Sequence, residues 1–106
     1  MNRSAIFHRT YSEYSFATSP ERVVVRLRAA KGDLDECWVC YGDRMDPNNP
    51  IKITRKQMAV RFSDSLFDYY EAEFNPEVTR LCYYFELKKD AEKVFYYNDG
   101  FFDKPH

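Results

Sequence analysis

A chain of 106 residues with 16 Lys and Arg against 17 Asp and Glu carries a net charge of −1, with its charges interspersed along the sequence. The length fits one domain with its own core and excludes a barrel of eight strands and helices, which takes roughly 250 residues. The even charge excludes the basic patch that nucleic acid or an anionic membrane would require, so neither is expected as a partner. Three cysteines cannot all pair within one chain, and none stands in a disulfide-rich pattern, which points to a reducing compartment. No apolar run approaches a signal peptide at the start or the ~20 residues of a membrane span later, so the expected location is the cytoplasm.

An aromatic share of 18%, including nine Tyr and nine Phe, favours strands, because aromatic side chains suit a pleated, half-buried surface. The dominant period is two. Val23, Val25, Leu27 and Ala29 alternate with Val24, Arg26 and Arg28, predicting a half-buried strand over 22–29 that ends at Lys31-Gly32-Asp33. Cys37, Val39 and Tyr41 then alternate with Glu36, Trp38 and Cys40 until Gly42-Asp43 breaks the run. Met45-Asp46-Pro47-Asn48-Asn49-Pro50 reads as loop, since two prolines remove donors and Asn tolerates turn conformations. Short strands are expected near 51–54 and 57–62, although Lys56-Gln57-Met58 fits a helical turn equally well. Tyr70, Ala72 and Phe74 alternate with Tyr69, Glu71 and Glu73 over 67–74, and Asn75-Pro76 stops that strand. Leu81, Tyr83, Phe85 and Leu87 alternate with Cys82, Tyr84 and Glu86. After a turn at Lys88-Lys89-Asp90, Val94 to Tyr97 forms a last strand closed by Asn98-Asp99-Gly100. Short strands with turn signals between them and no convincing helix predict an all-β sandwich or barrel.

Ala5-Ile6-Phe7-His8, Val25-Arg26-Leu27-Arg28 with Lys31-Gly32-Asp33, Tyr41-Gly42-Asp43-Arg44, Leu66-Phe67-Asp68-Tyr69, Arg80-Leu81 with Tyr83 and Phe85, and Gly100-Phe101 occur in that order. Together they resemble the N-terminal domain of neopullulanases, cyclomaltodextrinases and maltogenic amylases, the family 34 carbohydrate-binding module, over essentially the whole chain. The resemblance implies an immunoglobulin-like β-sandwich of about seven or eight antiparallel strands, preceding an α-amylase-type catalytic barrel that lies beyond these residues. It implies a module with no catalytic residue of its own, which helps to assemble a dimer, narrows the partner's cleft toward cyclodextrins and short maltooligosaccharides, and contacts α-glucan. The implied partners are its own catalytic domain, a second subunit, and α-glucan or cyclodextrin. The rival reading is an interaction sandwich that never touches sugar. In the resembled enzymes the first strand lies near the dimer contact, which makes His8 and Arg9 interface candidates. The loop after Tyr41 to Arg44 faces the partner's cleft there, adding Arg44 and Met45. Several relatives carry an aromatic residue where this chain has Met45, which can pack on a sugar face but brings neither a π-system nor a hydroxyl.

Each chemical motif meets a plainer alternative. Cys37-Trp38-Val39-Cys40 has redox and zinc spacing, but strand residues three apart lie ~10 Å from each other on opposite faces. A disulfide needs Cα atoms within ~7 Å, so Cys37 is expected in the core and the pair does no joint chemistry. Glu71 and Glu73 have a separation a glycosidase can use, yet an open sheet face lacks the desolvating cleft of a catalytic acid, and a solvated face is expected. His8 has no serine or cysteine tied to it by sequence and reads as a hydrogen-bonded structural or interface residue. Asp43, Asp46, Asn48 and Asn49 offer the hard oxygens calcium takes, without the spacing of a calcium loop. Asp43, Asp46 and Asn48 stand as calcium candidates, and no cofactor is assigned.

With residues 37, 39 and 41 facing the core, Trp38 faces outward. An immunoglobulin-type order sets its strand beside 81–87, so Trp38, Tyr84, Phe95 and Tyr97 share one face. Such a row can stack on pyranose rings, meet another domain or subunit, or stabilise the sheet as cross-strand pairs. Trp38, Tyr84, Tyr97 and Met45 are the candidate carbohydrate contacts. Pairing 22–29 with 35–41 as a local hairpin would bring Arg26 beside Trp38, whereas the resemblance puts the two strands in opposite sheets.

Overall fold

The computed structural model describes residues 1–9, 14–19, 21–48 and 50–105. After a 3-10 turn at Arg3–Ala5 come nine strands: β1 (Ser15–Ser19), β2 (Arg22–Ala30), β3 (Glu36–Asp43), β4 (Thr54–Gln57), β5 (Ala59–Ser63), β6 (Phe67–Phe74), β7 (Leu81–Lys89), β8 (Glu92–Tyr97) and β9 (Gly100–Phe102). They form two sheets, ordered β1-β2-β6-β5 and β4-β3-β7-β8-β9, and every pairing is antiparallel. The immunoglobulin-like sandwich is the expected one, with two short edge strands more than the period-two pattern predicts. β2 and β3 fall in different sheets, so Arg26 pairs across from Glu71 and not beside Trp38.

Several boundaries differ from expectation for local reasons. β3 runs on through Gly42 and Asp43, where Gly42 is required because a Cβ would come 2.7 Å from the Lys52 carbonyl. The weak strands move to 54–57 and 59–63 because Met58 is the crossover between sheets. Its side chain is buried in the core and its N–H donates to the Cys37 carbonyl at 2.8 Å. β7 keeps Lys88 and Lys89, and the turn into β8 sits at Asp90, whose φ of 52° an aspartate tolerates. Asn98 and Asp99 turn the chain from β8 into β9 instead of ending the sheet.

Val25, Leu27 and Ala29 of β2 and Tyr70, Ala72 and Phe74 of β6 meet Cys37 and Val39 of β3 and Phe85 and Leu87 of β7 across the core. Tyr41 stacks on Phe74 across the two layers at 4.5 Å. Enclosing Leu27 and Leu87 completely stabilises the fold by about 1.5–3 kcal/mol each. The three cysteines are free. Cys37 lies in the core, its thiol 3.6 Å from the Met58 sulfur, and burial pushes its pKa far up. Cys40 faces the other way yet is only 1% exposed, and burial raises its thiol to about 11. Neither is a reactive thiolate at neutral pH.

Candidate functional site

The segment before β1 runs along β2 through a Phe7–Arg28 bridge, which turns His8 toward the other sheet. His8 Nδ1 lies 2.8 Å from the Arg26 carbonyl and must donate to it. His8 Nε2 then accepts from the Tyr83 hydroxyl at 2.7 Å, and the Ser15 hydroxyl completes the chain at 3.1 Å from the Tyr83 oxygen. The imidazole also packs edge-on against Phe85, 4.8 Å between ring centres. Burial holds the His8 pKa below its ordinary value, partly opposed by the bond to the Arg26 carbonyl. His8 therefore ties the two sheets together as a neutral ring.

His8, Tyr83 and Tyr96 stand on the core-facing side of the five-stranded sheet and Tyr84 and Tyr97 on its outer face, and a cleft of about 1380 Å³ is lined by residues of both sides. His8, Arg9, Arg44, Tyr84 and Tyr97, chosen from distant parts of the sequence, all line it. Tyr84 and Tyr97 stack at 4.6 Å with 17° between their planes, and Phe102 meets the Tyr97 ring edge-on. Tyr84 is half-buried, and burial raises its hydroxyl to about 12, so it stays protonated. Arg80, which enters the sequence reading only within the Arg80-Leu81 motif and not as a site candidate, completes the rim.

That rim is held by Asp43. Its Oδ1 accepts the N–H groups of Met45 (2.9 Å) and Arg80 (3.0 Å), and its Oδ2 accepts that of Thr79 (2.8 Å). The Arg44 N–H donates in turn to the Arg80 carbonyl at 2.8 Å. Asp46 accepts the N–H groups of Asn48 and Lys52. These backbone donors, Thr79 first for Asp43 and Asn48 first for Asp46, hold both carboxyls below the usual range. The carboxylates of Asp43 and Asp46 thus already accept N–H groups, the Asn48 amide donates to Asp46, and among the described residues no three His, Cys, Asp or Glu side chains gather as metal ligands. Asn49 lies outside the described residues. Met45 projects from the loop beside Arg44, 62% exposed, and does not line the cleft.

Trp38 also lies outside the cleft. On the outer face of its sheet one rung reads Gln57, Trp38, Glu86, Phe95, Phe102, and the next reads Arg55, Cys40, Tyr84, with the Tyr97 ring stacked on Tyr84. The Arg55 guanidinium sits 4.1 Å from the Trp38 ring centre and bonds Glu86 at 2.7 Å, while the indole N–H donates to Glu36 at 2.9 Å. Cys40 and Glu86 separate Trp38 from the tyrosines, and Phe95 is only 7% exposed. The expected continuous aromatic row is two separate groups.

The opposite outer face holds aromatic groups that the sequence pattern did not reveal. The Arg26 guanidinium lies 5.8 Å from Phe16 of β1 and 5.4 Å from Phe62 of β5, and bonds Glu71 at 2.8 Å. Phe62 stacks on Tyr69 at 4.5 Å. Phe16 and Phe62 nevertheless remain 39% and 48% exposed. Glu71 is engaged by Arg26, and Glu73 by Thr18 at 2.9 Å, so the pair sits on a sheet face with ordinary partners. Among the described residues no helix is long and apolar enough to cross a membrane.

This two-sheet frame matches a known family. Residues 1–106 match the α-amylase N-terminal immunoglobulin-like domain, and the chain belongs to that family. A cyclomaltodextrinase of Thermoanaerobacter pseudethanolicus is 36% identical over 107 residues, covering 98% of this chain and 18% of the relative. One from Geobacillus thermopakistaniensis is 33% identical over 103 residues, covering 96% of this chain and 18% of the relative. A solved cyclomaltodextrinase structure superposes over the whole chain with a TM-score of 0.91 at 28% identity, and 18% of that chain is covered. The chain therefore spans under a fifth of the length of these relatives.

Proposed function

We propose that this domain is the non-catalytic N-terminal module of a cytoplasmic α-glucan hydrolase of the cyclomaltodextrinase type. In this reading it holds α-glucan or cyclodextrin where Tyr84 and Tyr97 line the cleft on the outer face of the five-stranded sheet, and helps a second subunit to shape the active-site opening. The observation that carries it is the meeting of Tyr84, Tyr97, Arg44 and Arg9 in one open cleft of about 1380 Å³. Paired tyrosine rings at such a mouth offer flat apolar surface to the faces of pyranose rings, and hydroxyls at their edges. Trp38, already in contact with Arg55 and Glu36, contributes to the sheet more than to sugar. Native electrophoresis in amylopectin tests this: Tyr97→Ala is expected to lose most of the retardation and Trp38→Ala little. Equal mobility of wild type and Tyr97→Ala would remove the sugar contact.

A second reading, an interaction surface that never touches sugar, is favoured by the exposed Phe16 and Phe62 on the face of the four-stranded sheet. Phe16 also lines the cleft, so Phe62 is the residue that tests this face separately. Sedimentation of the wild type and Phe62→Ser tests the second. A monomer that is unchanged by the substitution, in the full-length enzyme as well, would remove this face from assembly.

A further inference from the structure

The cleft differs from the rest of the molecule in charge. The chain has slightly more acidic than basic residues, yet Arg9, Arg44 and Arg80 line the cleft and no carboxylate does among its described lining residues. A neutral glucan has no use for that segregation, because hydroxyl groups are served as well by carboxylates and amides as by guanidinium.

Arg44 and Arg80 have a further property. Their backbones are fixed to one another and to Asp43 by hydrogen bonds of 2.8–3.0 Å, while neither guanidinium is in an ion pair among the described residues. The Asp43 carboxylate beneath them accepts three backbone N–H groups. Two cations on a pinned backbone, at the mouth of a cleft with stacked tyrosines, suit a ligand that joins a pyranose ring to an anion. Guanidinium matches the oxygens of a phosphate through paired N–H donors.

We infer that this cleft prefers α-glucan carrying phosphate monoesters, with Arg44 and Arg80 on the phosphate and Tyr84 and Tyr97 on the sugar. The inference rests on the α-glucan reading above and adds its charge selectivity.

The test compares the retardation of the 106-residue protein by a phosphorylated amylopectin and by the same polymer after phosphatase treatment. Retardation is expected to be about fivefold stronger in the phosphorylated gel, the effect of a few exposed charge contacts. The difference should collapse in Arg44→Gln and Arg80→Gln, and also near 1 M salt, where the screening length falls to about 3 Å. Circular dichroism would show that both variants keep their strands. Equal retardation of wild type by the two polymers would overturn the charge selectivity and leave the glucan reading standing. Absence of retardation by either would overturn both. A phosphate preference that survives both arginine substitutions would overturn the assignment to this cleft. So would a wild-type dimer that Arg80→Gln converts to monomer without any change in the preference.

Discussion

The outer faces of the two sheets use the same ingredients to opposite ends. On the five-stranded sheet, Arg55 lies over Trp38 and bonds a Glu86 that is itself nearly buried, with Cys40 sealed beneath. On the four-stranded sheet, Arg26 bonds Glu71 between Phe16 and Phe62, which stay open to solvent. The difference lies in which strands supply the rings. Trp38 stands on β3 with strands on both sides, whereas Phe16 and Phe62 stand on edge strands with no further strand beyond them among the described residues. An arginine beside an aromatic ring is therefore no sign of a binding surface until the strand's place in the sheet is known.

The largest effects should ignore this contrast. Leu27→Ala and Leu87→Ala, one beneath each face, are each expected to destabilise by about 2–5 kcal/mol in urea unfolding. A large inequality would mean that one sheet relaxes around the cavity. Glu86→Ala should come next, at about 1–3 kcal/mol, because Arg55 and a buried niche lose their partner. Trp38 is the only tryptophan, so its emission should change in the same variant as Arg55 leaves the ring. Glu71→Ala should cost somewhat less, about 1 kcal/mol, since its carboxylate is the more exposed of the two, 19% against 11% for Glu86. Phe62→Ser should be smallest, within about 1 kcal/mol of wild type. A Glu71 cost above that of Glu86 would reverse the comparison.

Acid separates a third element from both faces. Burial keeps His8 below its ordinary value of 6.5, so the unfolded chain takes up a proton before the native one does. His8 stability is then complete above about pH 6.5 and is lost as pH falls from there toward the lower native value. The carboxyls of Asp43 and Asp46, also held low, act with the same sign below their ordinary 3.8. Denaturation midpoints in wild type should decline in two steps, and His8→Gln should remove the upper one. A two-step profile in His8→Gln would assign that step elsewhere.

The sandwich was readable because β2, β3, β6 and β7 bury alternate residues against a shared core, and the period of two records that directly. β1 and β9 escaped because Ser15–Ser19 is largely exposed and Gly100–Phe102 is three residues long, so neither leaves an alternation to find. The resemblance supplied the sheet order that local pairing would have assigned differently. The cleft was legible only in pieces. His8, Arg44, Tyr84 and Tyr97 could each be singled out, but their meeting depends on the fold, and Arg80 depends on a carboxylate contact 37 residues away in sequence. The ring contacts of Arg26 are hidden for a similar reason, since their partners come from two edge strands separated by the whole of β2 to β4.

Asp43 has a consequence for anyone who remodels this domain. Because one side chain fastens the turn after β3 to the approach to β7, the two loops behave as a single mechanical part. Replacing Asp43 alone would unlatch both loops without touching any residue that the proposed reading sets against a ligand.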